Sequence, residues 1–246
     1  MNRNFLIAPV AWLVLLVALF VTWGVLEPEA LIRSFDQDGH SPFELATLPF
    51  FAAIVPLVWW KCPFEGSRMR RTVLCLMVSL VAVMAIVKET DAHLVVLHGL
   101  YPDLVSDGGS LLPGLFKPNG SPLVGTPFKM RVLTNAGVPI GMKLWILLYF
   151  GLFFGTFVVG FAYLFKNWVV GVFKLVPSAW AVGCFGASGV VVQISDRLPA
   201  WLEHVFSKTS SAQSLCTALE EGGEMMIANF ALLAIYLGWR ERQAAR

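Results

Sequence analysis

The stretch TVLCLMVSLVAVMAIVKETDAH, residues 72–93, joins an apolar run to four ionisable side chains. Its apolar part, residues 73–87, contains 15 uncharged residues. That length corresponds to about 22 Å of α-helix, against roughly 30 Å of bilayer hydrocarbon. Because Arg70 and Arg71 hold the beginning of the run at a membrane surface, the remaining depth must be spanned by the charged segment. The ionisable side chains are therefore expected inside the membrane, in the outer part of a spanning helix.

The rest of the chain is apolar in a similar way. Of its 246 residues, 57% are hydrophobic and 14% are charged, and the mean hydropathy is +0.71. Soluble domains contain about 45–50% apolar residues. Apolar segments alternate with charged or Pro/Gly-rich stretches, a pattern typical of several spanning helices. We therefore predict an all-α membrane protein, a polytopic bundle of about six transmembrane helices in a single integral membrane domain over residues 1–246.

The helix boundaries follow from the apolar runs and their flanking residues. The predicted helices cover approximately 5–26, 42–60, 72–97, 144–165, 176–195 and 216–239, and a long outer loop covers 99–142. Ser41 as N-cap, Pro42 as first helical residue and Glu44 as third predict a capping box for the second helix. The first helix is interpreted as retained, because its apolar run exceeds the roughly 7–15 residues of a signal-peptide core.

Basic residues are concentrated between Lys61 and Arg71 and between Arg240 and Arg246. The positive-inside rule places both segments in the cytoplasm, together with the N- and C-termini, and favours a bacterial inner membrane. Lys117 lies in the predicted outer loop and does not follow the positive-inside rule. The net charge of +2 lies beside helix ends and forms no basic face, so a nucleic-acid partner is excluded and the lipid bilayer is the expected environment.

A second acidic run, residues 220–224, interrupts the last apolar segment. Measured along ideal helices, Glu89 lies roughly 27 Å from Arg71, and Glu224 lies roughly 24 Å from Arg240. Both arginines mark the inner surface. The two charged segments are therefore predicted to lie at similar depth, on the outer side of the membrane.

Helical spacing determines which side chains share a helix face within these segments. Glu89 and His93 are four residues apart, as are Glu220 and Glu224, so each pair shares a helix face. Charged groups at this depth normally face the bundle interior or a water-filled cavity. The predicted cluster, a candidate metal site, consists of Glu89, His93, Glu220 and Glu224. The supporting residues are Lys88, Asp91, Asp196, Arg197 and Glu221.

The chemistry of this cluster follows from its charge. The five acids of the two segments outnumber Lys88 by four charges, and crowded carboxylates at low dielectric must be protonated, solvated or neutralised by a cation. A divalent metal such as zinc, manganese or iron suits mixed carboxylate and imidazole ligands. One alternative is a set of ion pairs, Lys88 with Glu224 or Glu221, and Arg197 with Glu220 or Asp196. Another is a helix end that projects above the membrane, where water surrounds the charges. His98 and His204 are interpreted as ordinary interfacial histidines.

Glycines and cysteines give further predictions. The pair Gly222-Gly223 either opens the last helix so that carbonyl groups turn toward a site, or permits close packing. The spacings of Gly151 with Gly155, and of Gly183 with Gly186 and Gly189, predict helix contacts. A protein partner is expected at these glycine-lined faces or at the 99–142 loop. The four cysteines are assigned to different depths, which predicts neither a disulfide framework nor a redox motif.

Three functions remain open on these grounds, and no catalytic residue is identified. The first is a membrane protein whose outward-side carboxylate and histidine cluster binds a cation or exchanges protons, in transport, sensing or regulation. The second is a metal- or carboxylate-dependent membrane enzyme acting on a lipid or envelope precursor. The third is a structural or assembly subunit of a membrane complex, in which the charges form only ion pairs.

Overall fold

The computed structural model describes residues 3–35, 41–112, 123, 127–128, 130–202 and 210–245. Over these residues the chain is helical, with turns and one isolated bridge between Val105 and Leu111. Six of the described helices are long and apolar enough to cross a bilayer: Asn4–Val25, Pro42–Lys61, Arg68–Glu89, Ile140–Phe173, Pro177–Leu198 and Ser211–Ala244. The predicted all-helical membrane architecture is therefore confirmed, while the sidedness of the termini stays a prediction.

The helices are labelled here in chain order. They are α1 (Ile7–Val25), α2 (Pro28–Phe35), α3 (Pro42–Lys61), α4 (Arg68–Glu89), α5 (Ala92–Leu100), α6 (Met130–Leu133), α7 (Ile140–Phe150), α8 (Thr156–Phe173), α9 (Pro177–Leu202) and α10 (Ser210–Ala244). A short 3₁₀-helix, Arg3–Leu6, precedes α1. A π-helical segment, Gly151–Gly155, joins α7 to α8, so that one long helix runs from Ile140 to Phe173.

The chain divides into two compact units, Met1–Val83 with Gly160–Arg246, and Met84–Val159. In the first unit α10 contacts α9, α3, α2 and α1. Buried apolar side chains such as Leu31, Ala181 and Phe230 form the core of this unit. Many apolar side chains of α1 point away from this core and are exposed, which suits contact with lipid. The 35-residue α10 is thus the helix on which the first unit is assembled.

The start of α3 shows the predicted capping box. Ser41 Oγ accepts a hydrogen bond of 3.0 Å from the Glu44 N–H, and Glu44 Oε2 accepts one of 2.9 Å from the Ser41 N–H. Ser41 Oγ also donates to the Phe35 carbonyl at 2.8 Å. These bonds satisfy donors that a helix N-terminus otherwise leaves without partners, and they join the end of α2 to the start of α3.

The second unit has its own buried core, which contains Leu97, Val105, Val132 and Met142. Part of the predicted outer loop 99–142 therefore packs as structure, including a turn over residues 101–112 and the short helix α6. His98 Nδ1 lies 2.8 Å from the Val105 carbonyl oxygen and holds this turn against α5. The rest of the loop, residues 113–122, 124–126 and 129, lies outside the described residues, as does the predicted interfacial His204.

The predicted helix over 72–97 is divided in two. α4 ends at Glu89, and α5 begins at Ala92 after Asp91, which adopts a left-handed conformation with φ of 50°. Aspartate tolerates this conformation better than most residues. Because the helix is interrupted between them, the shared face predicted for Glu89 and His93 is not formed by one continuous helix.

Other helices extend past their apolar runs. The helix predicted over 144–165 is part of Ile140–Phe173, and those predicted over 176–195 and 216–239 extend over Pro177–Leu202 and Ser210–Ala244. Asp196 and Arg197 therefore lie within α9, where the sequence had suggested a helix end. α2 lies in the connection between the first two predicted helices. The added helical residues include polar ones, whereas the prediction followed apolar character alone.

Candidate carboxylate site

Three glutamates lie close together on α10. Glu224 is buried, with 8% of its surface exposed, and Glu220 and Glu221 are half-buried. Carboxylate oxygens of Glu221 and Glu224 lie within 4.8 Å of each other. This proximity follows from the helix itself, since residues three apart share a face. The structure thus contains a carboxylate cluster on a membrane-spanning helix.

The glycine pair between these acids is a packing feature. α10 runs without interruption through Gly222 and Gly223. A Cβ atom at Gly222 would lie 2.6 Å from Leu19 Cδ1 of α1, and one at Gly223 would lie 2.6 Å from Val192 Cγ2 of α9. The predicted opening of the helix at Gly222-Gly223 is therefore wrong, and the alternative of close packing is confirmed. The acids flank the glycines against which Leu19 of α1 and Val192 of α9 pack.

A polar contact joins α1 and α9 in the same core. Ser188 Oγ accepts a 3.1 Å hydrogen bond from Trp12 Nε1 and donates a 2.9 Å bond to the Cys184 carbonyl. The Ser188 carbonyl oxygen lies 3.6 Å from the Cβ position of Gly223. A hydrogen-bonded hydroxyl of this kind holds apolar helices together, because it leaves no donor exposed to hydrocarbon. The helices that pack against Gly222 and Gly223 are thus joined by a polar contact as well as by apolar packing.

The charged residues at the end of α4 lie in the second unit. Lys88 Nζ lies 3.0 Å from Glu89 Oε1; the Glu89 side chain is 5% exposed, whereas that of Lys88 is 49% exposed. Asp91 is exposed. Lys88 therefore supplies one positive charge to a buried carboxylate, an ion pair that the sequence analysis had not proposed.

Asp196 and Arg197 form a separate, exposed pair. Arg197 Nε lies 3.3 Å from Asp196 Oδ2, with side-chain exposures of 66% and 49%. This is one of the two partners suggested for Arg197. Exposed pairs of this kind contribute about 0–1 kcal/mol, so it serves as local charge compensation on α9.

His93 is held by contacts within the second unit. Its ring stacks on Tyr149, with centroids 4.9 Å apart, and meets Phe128 edge-on at 4.8 Å. Nδ1 lies 3.1 Å from the Val87 carbonyl oxygen. Burial lowers the pKa of His93 below its ordinary value of 6.5, and the bond to Val87 only partly opposes that shift. These contacts account for the position of the ring as an aromatic packing residue, and its role as a metal ligand stays a prediction.

A pair of cysteines that was not expected from the sequence lies at the basic end of the first unit, where the connection between α3 and α4 contacts Arg242 of α10. Cys62 Sγ and Cys75 Sγ lie 3.8 Å apart, so the expectation that the cysteines lie at different depths is wrong for this pair. Cys62 directly follows α3, and Cys75 lies in the second turn of α4. The short connection between the helices brings both residues together. Both cysteines lie near the same basic loop in the sequence, and this nearness could have indicated that they are close in space.

Comparison of the chain with protein-family models, curated proteins and solved structures found no match. The class of protein is therefore defined by its own fold and site. The chain is an all-helical membrane protein with six candidate spanning helices among its described residues, and it carries a carboxylate cluster on α10.

Proposed function

We propose that this protein binds a cation or takes up protons at the carboxylate cluster of α10, as part of transport, sensing or regulation. The burial of Glu224 beside Glu221 is the observation that supports this function. A buried carboxylate requires a proton, a cation, a charged partner or hydrogen-bond donors to offset the loss of hydration. Ionisable groups of spanning helices are also the usual elements of ion and proton pathways.

The proposed ligand set extends from Glu221 and Glu224 to Glu220, which is half-buried on the same helix. Membership of Glu89, whose side chain is 5% exposed, stays a prediction from the sequence. All of these side chains offer oxygen ligands. Among zinc, manganese and iron, manganese best suits such a set.

The proposed location is a bacterial inner membrane, with both termini in the cytoplasm and the carboxylates toward the outer side. Support comes from the arginines at the start of α4 and at the end of α10, which the positive-inside rule assigns to the cytoplasm. In this arrangement the cluster opens toward the periplasmic half of the membrane.

Isosteric amide variants test the function. Glu224→Gln and Glu221→Gln remove a charge while keeping the shape of the side chain, and Glu29→Gln is the matched control because Glu29 is 85% exposed in a surface pair. We expect manganese binding to weaken by about tenfold or more in the first two variants, as for loss of one interaction with a charged group. Where protons are the ligand, the pH dependence of tryptophan fluorescence should change instead.

Elemental analysis and manganese titration of the purified proteins measure the first effect, and fluorescence measures the second. If folded Glu221→Gln and Glu224→Gln match the wild type in both metal affinity and pH response, the function proposed here is wrong. Should Glu224→Gln fail to fold, the half-buried Glu221 still gives a decisive comparison.

The assembly alternative has one supporting observation. At Gly151, Gly155, Gly186 and Gly189 no described heavy atom lies within 4 Å of the position a Cβ would occupy. The glycine-lined faces of these helices are therefore open within the described chain, and small residues permit close approach of a partner helix. A stable complex that survives mild detergent and is unaffected by the glutamate variants would favour this function. The enzyme alternative stays a prediction.

A further inference from the structure

We propose that the basic end of the first unit binds a phosphate group, at a site independent of the carboxylate cluster. A cavity of about 270 Å³ lies there, lined by Phe64, Glu65, Gly66, Arg71 and Arg242. The ligand chemistry is that of a phosphate oxyanion, supplied by a phospholipid headgroup or by free phosphate.

The connection between α3 and α4 shapes one wall of this cavity. Gly66 adopts φ of +107°, a conformation that residues with a side chain rarely adopt. A Cβ at this position would also lie 2.7 Å from Arg70 Cδ. The backbone therefore turns sharply at a glycine, and the turn leaves room above the first residues of α4.

Arg242 is oriented at the cavity by the same loop. Its Nη1 donates hydrogen bonds to the carbonyl oxygens of Cys62, at 2.8 Å, and Phe64, at 3.0 Å. A guanidinium group has five N–H donors in a fixed planar arrangement. The two bonds to the loop engage one nitrogen, so that within the described chain Nη2 and Nε keep donors for an oxyanion. An arginine held in this way loses little further freedom on binding.

Arg71 contributes the second guanidinium group. Its Nε is buried, and no described residue accepts a hydrogen bond from it. A buried donor without an acceptor is unfavourable unless a ligand or water supplies one. Glu65, the one acidic lining residue, is exposed and forms no ion pair within the described chain with either arginine. The formal charge of the lining is thus +1, which matches a singly charged phosphodiester better than a dianion.

The neighbouring side chains place the cavity at headgroup level. Lys61 Nζ lies 3.8 Å from the ring centroid of Trp60 and 3.9 Å from that of Trp239. Tryptophan and lysine side chains of this kind gather where hydrocarbon meets headgroups. Cys62, whose carbonyl binds Arg242, is the next residue along the chain. The arginines can therefore reach the phosphates of the adjacent leaflet.

The test compares variants of the full-length protein with equal loss of charge. Arg71→Gln and Arg242→Gln remove a cavity guanidinium, and Arg68→Gln removes an exposed one at the start of α4. Each protein, in detergent, is titrated with phosphatidylglycerol, with phosphatidylcholine and with inorganic phosphate. Binding is measured by native mass spectrometry and by the shift of the melting temperature.

In the wild type and in Arg68→Gln we expect phosphatidylglycerol to bind more tightly than phosphatidylcholine. In Arg71→Gln we expect phosphatidylglycerol to bind about tenfold more weakly than it binds to the wild type. Saturation by inorganic phosphate, with displacement of the lipid, would identify free phosphate as a ligand of the same site. Equal affinities in all variants, an equal loss in Arg68→Gln, or no binding of either probe would overturn the site. Arg71→Gln decides the outcome if Arg242→Gln does not fold. Glu224→Gln should leave this binding unchanged, so that failure of one proposal is distinguishable from failure of the other.

Discussion

The acidic residues of the described chain differ in burial. Glu224 is 8% exposed, and the side chain of Glu89 is 5% exposed. Glu29, by contrast, is 85% exposed in its side chain. Since the cost of an ionised carboxylate depends on its hydration, the same residue type has different chemistry at these positions. Ionisation is therefore more costly for the buried acids of α4 and α10 than for exposed acids such as Glu29.

His93 gives a prediction of pH dependence. Burial against aromatic rings lowers the pKa of His93 below 6.5; the Val87 carbonyl and Asp91 oppose this shift, and Lys88 adds to it. The folded protein therefore binds this proton less readily than the unfolded chain does. Its contribution to stability is fully present above pH 6.5 and is lost as the pH falls through 6.5 toward the lower folded-state pKa.

Melting temperatures in detergent between about pH 8 and about pH 5 measure this effect. His93→Phe keeps an aromatic ring at the position and should lose that part of the pH dependence. A wild-type melting temperature that rises on acidification, or a His93→Phe variant with the same pH profile as the wild type, would contradict the assignment.

At the scale of helices, two glycines of α10 allow neighbouring helices to pack closely against it. Leu19 of α1 packs against Gly222, and Val192 of α9 packs against Gly223. Glycine weakens a helix by roughly 1 kcal/mol relative to alanine. Here closer packing offsets that loss. Gly186 of α9 is not a packing position of this kind. Beyond its own stretch of helix, no described heavy atom lies within 4 Å of the position that its Cβ would occupy.

Alanine substitution should separate these two environments. Gly223→Ala places a methyl group against Val192 and is expected to destabilise the fold by about 1–3 kcal/mol, as for other overpacked positions. Gly186→Ala is the matched control and should be neutral or stabilise by up to about 1 kcal/mol. Denaturant unfolding in detergent compares the two. Equal effects of both substitutions would show that Gly223 is not a packing position.

The sequence predicted some helix ends well and others poorly. The start of α3 was predicted correctly because Ser41 and Glu44 form a local motif whose partners are three residues apart. The end of α4 was not, because Asp91 adopts φ of 50° and no glycine or proline marks that break in the sequence. A helix end without such a residue or a capping motif gives no local signal.

At the scale of the whole molecule, the distribution of basic residues predicts the orientation in the membrane. The connection between α3 and α4 carries Arg68, Arg70 and Arg71, and the end of α10 carries Arg240 and Arg242. Both should face the cytoplasm. The turn over residues 101–112 should then face outward, since α4, which lies between that turn and the basic loop in sequence, is long and apolar enough to cross the membrane.

Cysteine labelling tests this orientation. In a variant without native cysteines, a membrane-impermeant maleimide applied to intact cells is expected to label Ser110→Cys and to leave Ser67→Cys unlabelled, because both positions are exposed but predicted on opposite sides. Ser67→Cys should be labelled only after the membrane is permeabilised. The reverse pattern would show that the proposed sidedness is wrong.

The sequence by itself determined that this chain is a helical membrane protein with acids inside its apolar segments, because helix formation and membrane insertion depend on local composition over about 20 residues. Only the tertiary structure decided that Gly222 and Gly223 are packing positions, that His93 lies among aromatic rings and that Arg71 and Arg242 line one cavity. Each of these outcomes depends on which distant side chain meets a given residue. Local periodicity constrains such contacts only weakly.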